Sequence, residues 1–329
     1  MLTLLFACTT STEAPLPAPV VDEPITLTVY SGRSEALVGP LLDRAEEALG
    51  FTIEVQYGDT PELVARVLIE EDQSPADVVF AQDSGHLGAL ALAGSLERLP
   101  DDLLGQVHDA YRDPEGRWIG TSGRLRVLVL NTDQVTEGDR PHSLKELVDP
   151  RWKGRLGWAP SNGSFQCHVS ALRALWGEDE TRSWLEGVQA NEPTVYPKNS
   201  PQVEAAHNGE IAMGWVNHYY LHRAEADGYK ATNHSFDAGD AGNVVMVAGA
   251  AIRKGSDDVD AALKLLEWLV GEDAQNTFAQ DNFEYPTRPG IETHERVPVL
   301  DPSILANVDQ SALADLGPTR VLLQELGLQ

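Results

Sequence analysis

Hydrophobic and polar positions from residue 25 onward follow two alternating patterns. Strand patterns, in which β-branched and aromatic residues alternate with polar ones or run together, occur at 25–30, 51–57 and 76–81. Segments with apolar residues three or four positions apart follow each of them, at 34–49, from Thr60 onward, and at 85–96. This spacing is typical of amphipathic helices. Three successive strand–helix units predict a parallel sheet with helices on both faces.

Beyond residue 118 the patterns predict a segment that crosses between two lobes, then a second set of strands and helices, and then a strand that returns to the first set. The segment 118–131 is extended in composition and would cross between two lobes. Further strands are expected at 155–159, 193–196, 211–216 and 244–253. Further helices are expected at 143–147, 165–176, 179–190, 201–208, 257–270 and 311–326. Because 244–253 would return the chain to the first set, we expect a first lobe of residues 25–123 plus 245–291 and a second of 124–244 plus 292–329, joined by two hinge crossovers.

Polar loops follow the predicted strands at the positions where an open α/β sheet binds ligands, which is beyond the carboxyl ends of its strands. Each precedes a predicted helix, and they span 31–34, 82–85, 161–164, 198–200 and 217–220. Two lobes that face each other through such loops form a cleft that closes by hinge bending. The function is therefore expected in these five loops.

Charge and composition argue against several classes of function. The chain has 329 residues and a formal net charge of −27, whereas nucleic-acid binding and attachment to an anionic membrane face require basic patches. Common hydrolase, NTPase and dinucleotide-binding motifs are absent from the sequence. Two cysteines are too few for a disulfide framework, and Cys167 is expected to be a small buried residue.

The first 24 residues are predicted to be a leader remnant and a tether. Cys8 follows Leu5-Phe6-Ala7, which resembles the lipobox of bacterial lipoproteins, and the Thr- and Pro-rich segment 9–24 is typical of a linker. No Lys or Arg precedes Cys8, in contrast to an ordinary export signal. We expect a periplasmic or cell-surface protein that is anchored through a lipid on Cys8; the alternative is a ragged N-terminus with a chance cysteine.

Two of the polar loops carry residues suited to bind ions. Asn162-Gly163-Ser164 before a helix can hold an anion with backbone N–H groups, or can be an ordinary helix cap. Tyr219-Tyr220 can bind a trivalent hard cation that stabilises the phenolate form, or can pack at a lobe interface. Both pairs of interpretations remain open at this level.

Nine collinear segments together resemble the periplasmic ferric-ion-binding proteins of bacterial ABC importers. They lie between residues 25 and 291, at 29–33, 74–78, 118–124, 152–157, 161–165, 196–200, 217–220, 247–250 and 284–286. This resemblance implies a type II periplasmic-binding-protein-like fold and a receptor without a catalytic step. It also implies that the protein is a monomer that binds Fe³⁺ with a synergistic anion, carbonate or phosphate, and delivers the iron to an ABC permease of the inner membrane.

The resemblance also assigns residues position by position. Tyr219 and Tyr220 match the paired tyrosinate iron ligands, and the anion contacts match Asn162, Gly163, Ser164, Asn199 and Asn217. The chain departs from the family at Ser34, where some members have a His ligand, and at Gln82, where they have a Glu ligand. The remaining iron ligands would then be an anion, water, or carbonate held by Arg33 and Arg124. Asp83 and Gln82 are further candidate ligands.

Two other functions remain as alternatives. One is a receptor for a small anion or organic solute, such as a phosphonate, in the same cleft, with the tyrosines stacking on the solute or donating hydrogen bonds to it. The other is a metal-dependent hydrolase that uses His218, His222 and Asp83, although the sequence contains no HExxH motif and no recognisable base–nucleophile pair.

Overall fold

A computed structural model of the chain describes residues 25–224, 228–308, 313 and 316–328. The predicted tether and Cys8 therefore lie outside the described residues. Strand and helix alternate through the first part as the sequence predicts. The elements are β1 (Thr26–Ser31), α1 (Glu35–Leu49), β2 (Thr52–Tyr57), α2 (Thr60–Glu70), β3 (Val78–Ala81), α3 (Ser84–Leu92) and α4 (Asp101–Leu104).

The middle of the chain forms the second set of elements. They are β4 (Ile119–Asn131), β5 (Leu156–Trp158), α5 (Gly163–Trp176), α6 (Glu178–Ala190), β6 (Thr194–Val195), α7 (Asn199–Asn208), β7 (Met213–Asn217), α8 (Tyr219–Ala224) and β8 (Ala231–His234). The helix expected at 143–147 is instead a 3₁₀ helix, Leu144–Val148. It stays short because Ser143 and Glu146 cap its start, and Asp149 and Pro150 begin another turn directly after it.

The last elements are β9 (Val245–Ile252), α9 (Val259–Leu269), α10 (Glu272–Asn276), a π-helical turn (Thr277–Asp281), β10 (Tyr285–Pro286) and α11 (Leu316–Glu325). Among them, β9 pairs with β3 of the first set, whereas α11 packs against the second set. No helix among the described residues is long and apolar enough to cross a membrane.

The strands form a sheet in the order β2-β1-β3-β9-β4-β7-β5-β6, with β8 and β10 also paired to β4. Pairing is parallel on the two flanks, between β1 and β2, β1 and β3, β5 and β6, and β5 and β7. It is antiparallel at the centre, where β9 returns beside β3 and β4. The fold is the predicted α/β class, with central antiparallel strands joining the two parallel sets.

Strand β4 belongs to both parallel sets. Its residues 119–125 pair with β9, whereas residues 126–130 pair with β7. All thirteen of its residues are buried. The carboxyl end of β7, and with it the start of α8, therefore lies beside the middle of one long central strand, where Asn217 pairs with Arg126.

Apolar side chains form separate clusters on either side of this centre. One cluster is made only of residues between 27 and 119 and between 250 and 278. Another contains only residues between 128 and 241 together with α11 residues such as Leu322 and Leu323. A third extends across both groups. The lobe boundaries given above stay a prediction.

Candidate metal and anion site

The tyrosine pair lies where β7 passes directly into α8. The Tyr219 ring is fully buried, and its hydroxyl has no hydrogen-bond partner within the described chain. The rings of Tyr219 and Tyr220 stack with centroids 4.2 Å apart and an interplanar angle of 28°. Burial raises the pKa of Tyr219 well above that of a free phenol. Tyr220 raises it further, and Arg33 and Arg124 act in the opposite direction.

A cleft of about 490 Å³ opens beside this pair. Its walls come from the loop after β1, the loop between β2 and α2, the loop before α5 and the start of α7. Lining residues among the predicted site are Arg33, Ser34, Gln82, Asn162, Gly163 and Tyr220. The structure thus brings into one cleft residues that are up to 187 positions apart in the chain.

The predicted anion loop is assembled around the first turn of α5. The Asn162 side chain caps this helix, with its Oδ1 accepting the Ser164 N–H at 3.1 Å. The Asn199 Nδ2 lies 3.5 Å from the same oxygen, and the Asn217 Nδ2 donates to Ser164 Oγ at 3.4 Å. All five predicted anion-loop residues are therefore in one place, and Asn162 is a helix cap as well.

The orientation of the Asn217 amide is fixed from behind by Arg126. The Arg126 Nη1 donates to Asn217 Oδ1 at 3.0 Å, and its Nη2 donates to the Trp215 carbonyl at 2.8 Å. Because a guanidinium has no acceptor, Oδ1 must face it and the amide N–H₂ must face Ser164. Burial is the main cause that lowers the pKa of Arg126, to about 9. Arg126 was not among the site residues expected from the sequence.

Two further arginines are buried beside the tyrosines. The Arg33 Nη2 donates to both carboxylate oxygens of Glu284, at 2.7 and 2.9 Å, and neither side chain is exposed. The Nε and both Nη atoms of Arg124 are buried with no hydrogen-bond partner among the described residues. Burying a guanidinium without acceptors is costly, so this arrangement favours an anion as a missing partner.

Asp83 supplies the only carboxylate among the predicted iron contacts. Its Oδ1 caps α3, accepting the His86 N–H at 3.0 Å and the His86 Nδ1 at 2.7 Å. Its Oδ2 is buried without a hydrogen-bond partner in the described ranges, and it would lie 3.2 Å from a Cβ added at Gly163. Burial acts to raise the pKa of Asp83, but His86 and Arg124 outweigh it and lower the pKa.

The other two candidates lie at the rim of the cleft. Ser34 occupies the N-cap position of α1 without a capping hydrogen bond from its side chain, and it is exposed. The Gln82 backbone N–H donates to Thr60 Oγ1 at 3.1 Å. Neither side chain makes a contact that marks it as a ligand.

The histidines of the hydrolase alternative are not gathered around Asp83. His218 and His222 line a separate cavity of about 440 Å³ with Tyr285 and Leu221. The His218 Nδ1 accepts the Leu125 N–H at 3.2 Å, and burial is the main cause that lowers its pKa to about 3. Within the described residues no group of three His, Cys, Asp or Glu side chains could hold a metal ion.

The sequence matches the model of a family of bacterial extracellular solute-binding proteins over residues 41–300. The chain belongs to this family. The Fe(3+)-binding periplasmic protein of Serratia marcescens is 31% identical over 284 residues, 84% of this chain and 83% of that protein. The major ferric iron-binding protein of Neisseria meningitidis serogroup B is 30% identical over 276 residues, 80% of this chain and 82% of that protein.

A solved structure agrees with these relatives. Iron-bound HitA from Pseudomonas aeruginosa is 31% identical and superimposes with a TM-score of 0.87, covering 93% of this chain and all of that one. As a solute-binding protein related to proteins of iron binding and transport, the chain is a receptor and not an enzyme, as predicted. The predicted resemblance and the two-lobed fold are likewise confirmed.

Sequence reasoning missed the residues that orient the site. Glu284 lies 251 residues from Arg33, and Arg126 lies 91 residues from Asn217. Glu284 stands in one of the segments that resemble the iron-binding proteins, but a single acidic residue there carries no signal of its partner. Cys167 is buried as expected.

Proposed function

We propose that this solute-binding protein captures Fe³⁺ between its lobes with the phenolates of Tyr219 and Tyr220 and a synergistic anion, and delivers the iron to an ABC permease. The observation that carries the proposal is the Tyr219 hydroxyl, buried and without a partner in the described chain, beside a second tyrosine and two buried guanidinium groups. A buried phenol without an acceptor is costly, whereas a hard cation would turn the same oxygen into a ligand.

The anion is proposed to bind between Arg124 and the first turn of α5. Arg124 offers N–H groups on three nitrogens, and Ser164 and Asn217 stand at the helix start. Carbonate and phosphate both fit donors of this type, because a planar guanidinium binds two anion oxygens at once and a helix N-terminus favours negative charge. With two phenolates, such an anion would complete much of an octahedral shell, and the buried Asp83 Oδ2, without a partner in the described chain, is a further candidate ligand.

The relatives support the remaining parts of the proposal. A periplasmic iron-binding relative in Serratia marcescens favours an extracytoplasmic location and a permease partner. A lipid anchor on Cys8 and a monomeric state are proposed from the sequence. No nucleic-acid partner is expected for a chain of net charge −27.

A titration of chelator-stripped protein with ferric citrate, followed by visible absorbance, tests this function. We expect a phenolate-to-iron charge-transfer band that saturates at about one equivalent of iron per chain. Tyr219→Phe/Tyr220→Phe should lack the band, because phenylalanine keeps the stacked rings but removes both oxygens. Tyr111→Phe, which removes a phenol elsewhere in the protein, is the matched control and should keep it.

A colourless wild-type protein would contradict the proposal and favour the anion-receptor alternative. The unpartnered Arg124 and the α5 cap favour that second candidate independently of iron. In that case the metal-free protein would bind phosphate or a phosphonate in calorimetry, and Tyr219→Phe/Tyr220→Phe would retain part of this binding.

A further inference from the structure

The ion pair between Arg33 and Glu284 is fully buried, and full burial of an ion pair does not by itself stabilise a protein. Both side chains have no exposed surface, and two hydrogen bonds of 2.7 and 2.9 Å join them. Removing two charges from water costs about as much as their attraction returns, and apolar side chains of similar size often serve equally well. A role other than stability is therefore expected for this pair.

Arg33 retains donors that Glu284 does not use. Both hydrogen bonds to Glu284 come from Nη2, and the buried Nη1 and Nε have no partner among the residues described. Arg33 lines the same cleft as Tyr220. Burial acts to lower the pKa of Arg33, but Glu284, Tyr219 and Tyr220 outweigh it and raise the pKa.

Glu284 belongs to a short segment that is fixed on both sides of the site. Its backbone N–H donates to the Phe278 carbonyl at 2.9 Å. Two residues earlier, the Asn282 Nδ2 donates to the Leu37 carbonyl in α1 at 3.1 Å, and the Asn282 Oδ1 accepts from Arg223 Nη1 in α8 at 3.0 Å. Residues 282–284 thus join the loop that carries Arg33 to the helix that carries the tyrosines.

The following residue strengthens the same connection. The Tyr285 ring stacks on His218, one position before the tyrosine pair, with centroids 4.6 Å apart. Its backbone pairs with Gly123 of β4. Phe283, between Asn282 and Glu284, adopts a positive φ of 59°, which a non-glycine residue holds only when its surroundings impose it.

We propose that Glu284 is a positioning residue for the iron site, an inference that rests on the proposed function. It neutralises Arg33 and fixes the guanidinium, so that Nη1 and Nε offer N–H groups to the phenolate and anion oxygens without adding net positive charge near Fe³⁺. An unpaired guanidinium at this place would attract the anion but repel the trivalent cation.

Glu284→Gln tests this because the two ligands should respond in opposite directions. Iron affinity, measured by competition with citrate, should fall about tenfold or more, since a positive charge is left uncompensated in a buried site. Phosphate affinity of the metal-free protein, measured by calorimetry, should rise several-fold for the same reason. Glu284→Asp retains the charge and should lie between the wild type and Glu284→Gln in both measurements.

A double variant separates charge from folding. Arg33→Gln/Glu284→Gln has no net charge at this place, so its phosphate affinity should return to the wild-type value or below, and its iron affinity should exceed that of Glu284→Gln. If Glu284→Gln does not fold, the double variant is compared with the wild type directly. It should then bind iron less tightly than the wild type, because the fixed donors of Arg33 are gone.

The outcomes are distinguishable. A wild-type protein without the iron band would overturn the proposed function and this inference with it. A wild-type band together with unchanged iron and phosphate affinities in Glu284→Gln would overturn only the positioning role. A parallel loss of both affinities with a lowered melting temperature would also overturn it, because that is the pattern of a merely structural residue. Equal iron affinity in the wild type and the double variant would do the same.

Discussion

At the residue scale, the orientation of Asn217 is decided by a side chain outside the cleft. Arg126 has donors only, so the amide oxygen of Asn217 must face it and the amide N–H₂ faces the anion loop. Glu284 orients Arg33 in the opposite way. Its carboxylate has acceptors only, so N–H groups of Arg33 must face it. Asn217 and Arg33 are thus held as donors, which suits an anion and the oxygen ligands of a hard cation.

His168 lies within α5, and we expect it to make the stability of the protein depend on pH. Its Nε2 donates to the Ala241 carbonyl at 2.7 Å, and its ring lies 4.6 Å from that of Trp215. Burial chiefly, and then Arg126, lower its pKa from 6.5 to about 3. The unfolded chain therefore binds a proton below about pH 6.5 that the folded protein excludes until about pH 3.

We accordingly expect the free energy of unfolding to fall as the pH is lowered from 6.5 toward 3. His168→Gln retains a donor for the Ala241 carbonyl but cannot titrate. In urea titrations over this pH range, its unfolding free energy should therefore fall less steeply with decreasing pH than that of the wild type. The two slopes should differ by at most about 1.4 kcal/mol per pH unit. Parallel slopes for the two proteins would show that His168 does not control this acid sensitivity.

The residues proposed to contact the iron and the anion were easier to expect from the sequence than the residues that hold them in place. Tyr219, Tyr220 and the residues of the anion loop carry local signals, because they follow predicted strands and precede predicted helices. Arg126 and Glu284 act through partners far away in the chain, and an isolated Arg or Glu in a sequence does not indicate which side chain it will meet. Gln82 and Ser34 line the cleft as expected, but their ligand roles stay predictions.

At the element scale, the loop after β1 depends on one glycine. A Cβ at Gly32 would lie 1.9 Å from Thr60 Oγ1 and 2.9 Å from the Thr60 Cα, so the start of α2 leaves no room for it. The Gly32 N–H also donates to the Phe80 carbonyl at 2.8 Å. Since Arg33 follows directly, the position of its guanidinium depends on this close approach.

Gly32→Ala is therefore expected to reduce the free energy of unfolding by about 1–3 kcal/mol, the usual cost of overpacking, and to weaken iron binding through Arg33. Gly138, which is exposed and has nothing within 4 Å of its Cβ position, provides the control. Gly138→Ala should change the stability by less than about 0.5 kcal/mol. Chemical denaturation and the iron titration measure both effects, and equal behaviour of the two variants would refute the packing argument.

Long periodic elements were predictable, and short ones formed by distant pairing were not. Helices such as α6 and α9 follow from apolar spacing that is local in the chain. β8 and β10 were not expected, because Ala231–His234 has little strand-like alternation and Tyr285–Pro286 is only two residues long. Both exist because β4 offers them a partner, which is information that no local pattern contains.

At the scale of the whole molecule, α5 brings the two lobes into direct contact. The Cβ position of Gly163 lies 3.2 Å from Asp83 Oδ2 and 3.6 Å from His86 Cε1. Asp83 and His86 start α3 in the first set of elements, whereas Gly163 starts α5 in the second. An ion bound between the lobes would add to these contacts and to the apolar cluster that extends across both sets of elements.

Iron loading should therefore make the protein more compact in small-angle X-ray scattering. The loaded form should have a radius of gyration near the roughly 20 Å expected for a compact chain of this length, and the iron-free form a larger one. Tyr219→Phe/Tyr220→Phe should show no change when ferric citrate is added. Identical scattering of loaded and iron-free wild type would count against closure of two lobes.

The shared strand β4 has a mechanical consequence. The pairing of β4 changes from β9 to β7 between Leu125 and Arg126, so a rotation of one lobe against the other is expected to twist the backbone at this point. The arginine with three unpartnered nitrogens lies one residue before Leu125, and the one that orients Asn217 is Arg126 itself. An anion held by Arg124 and by the amide that Arg126 orients would lie across the point where the strand changes its partner, so we expect anion binding to restrict the rotation of the lobes.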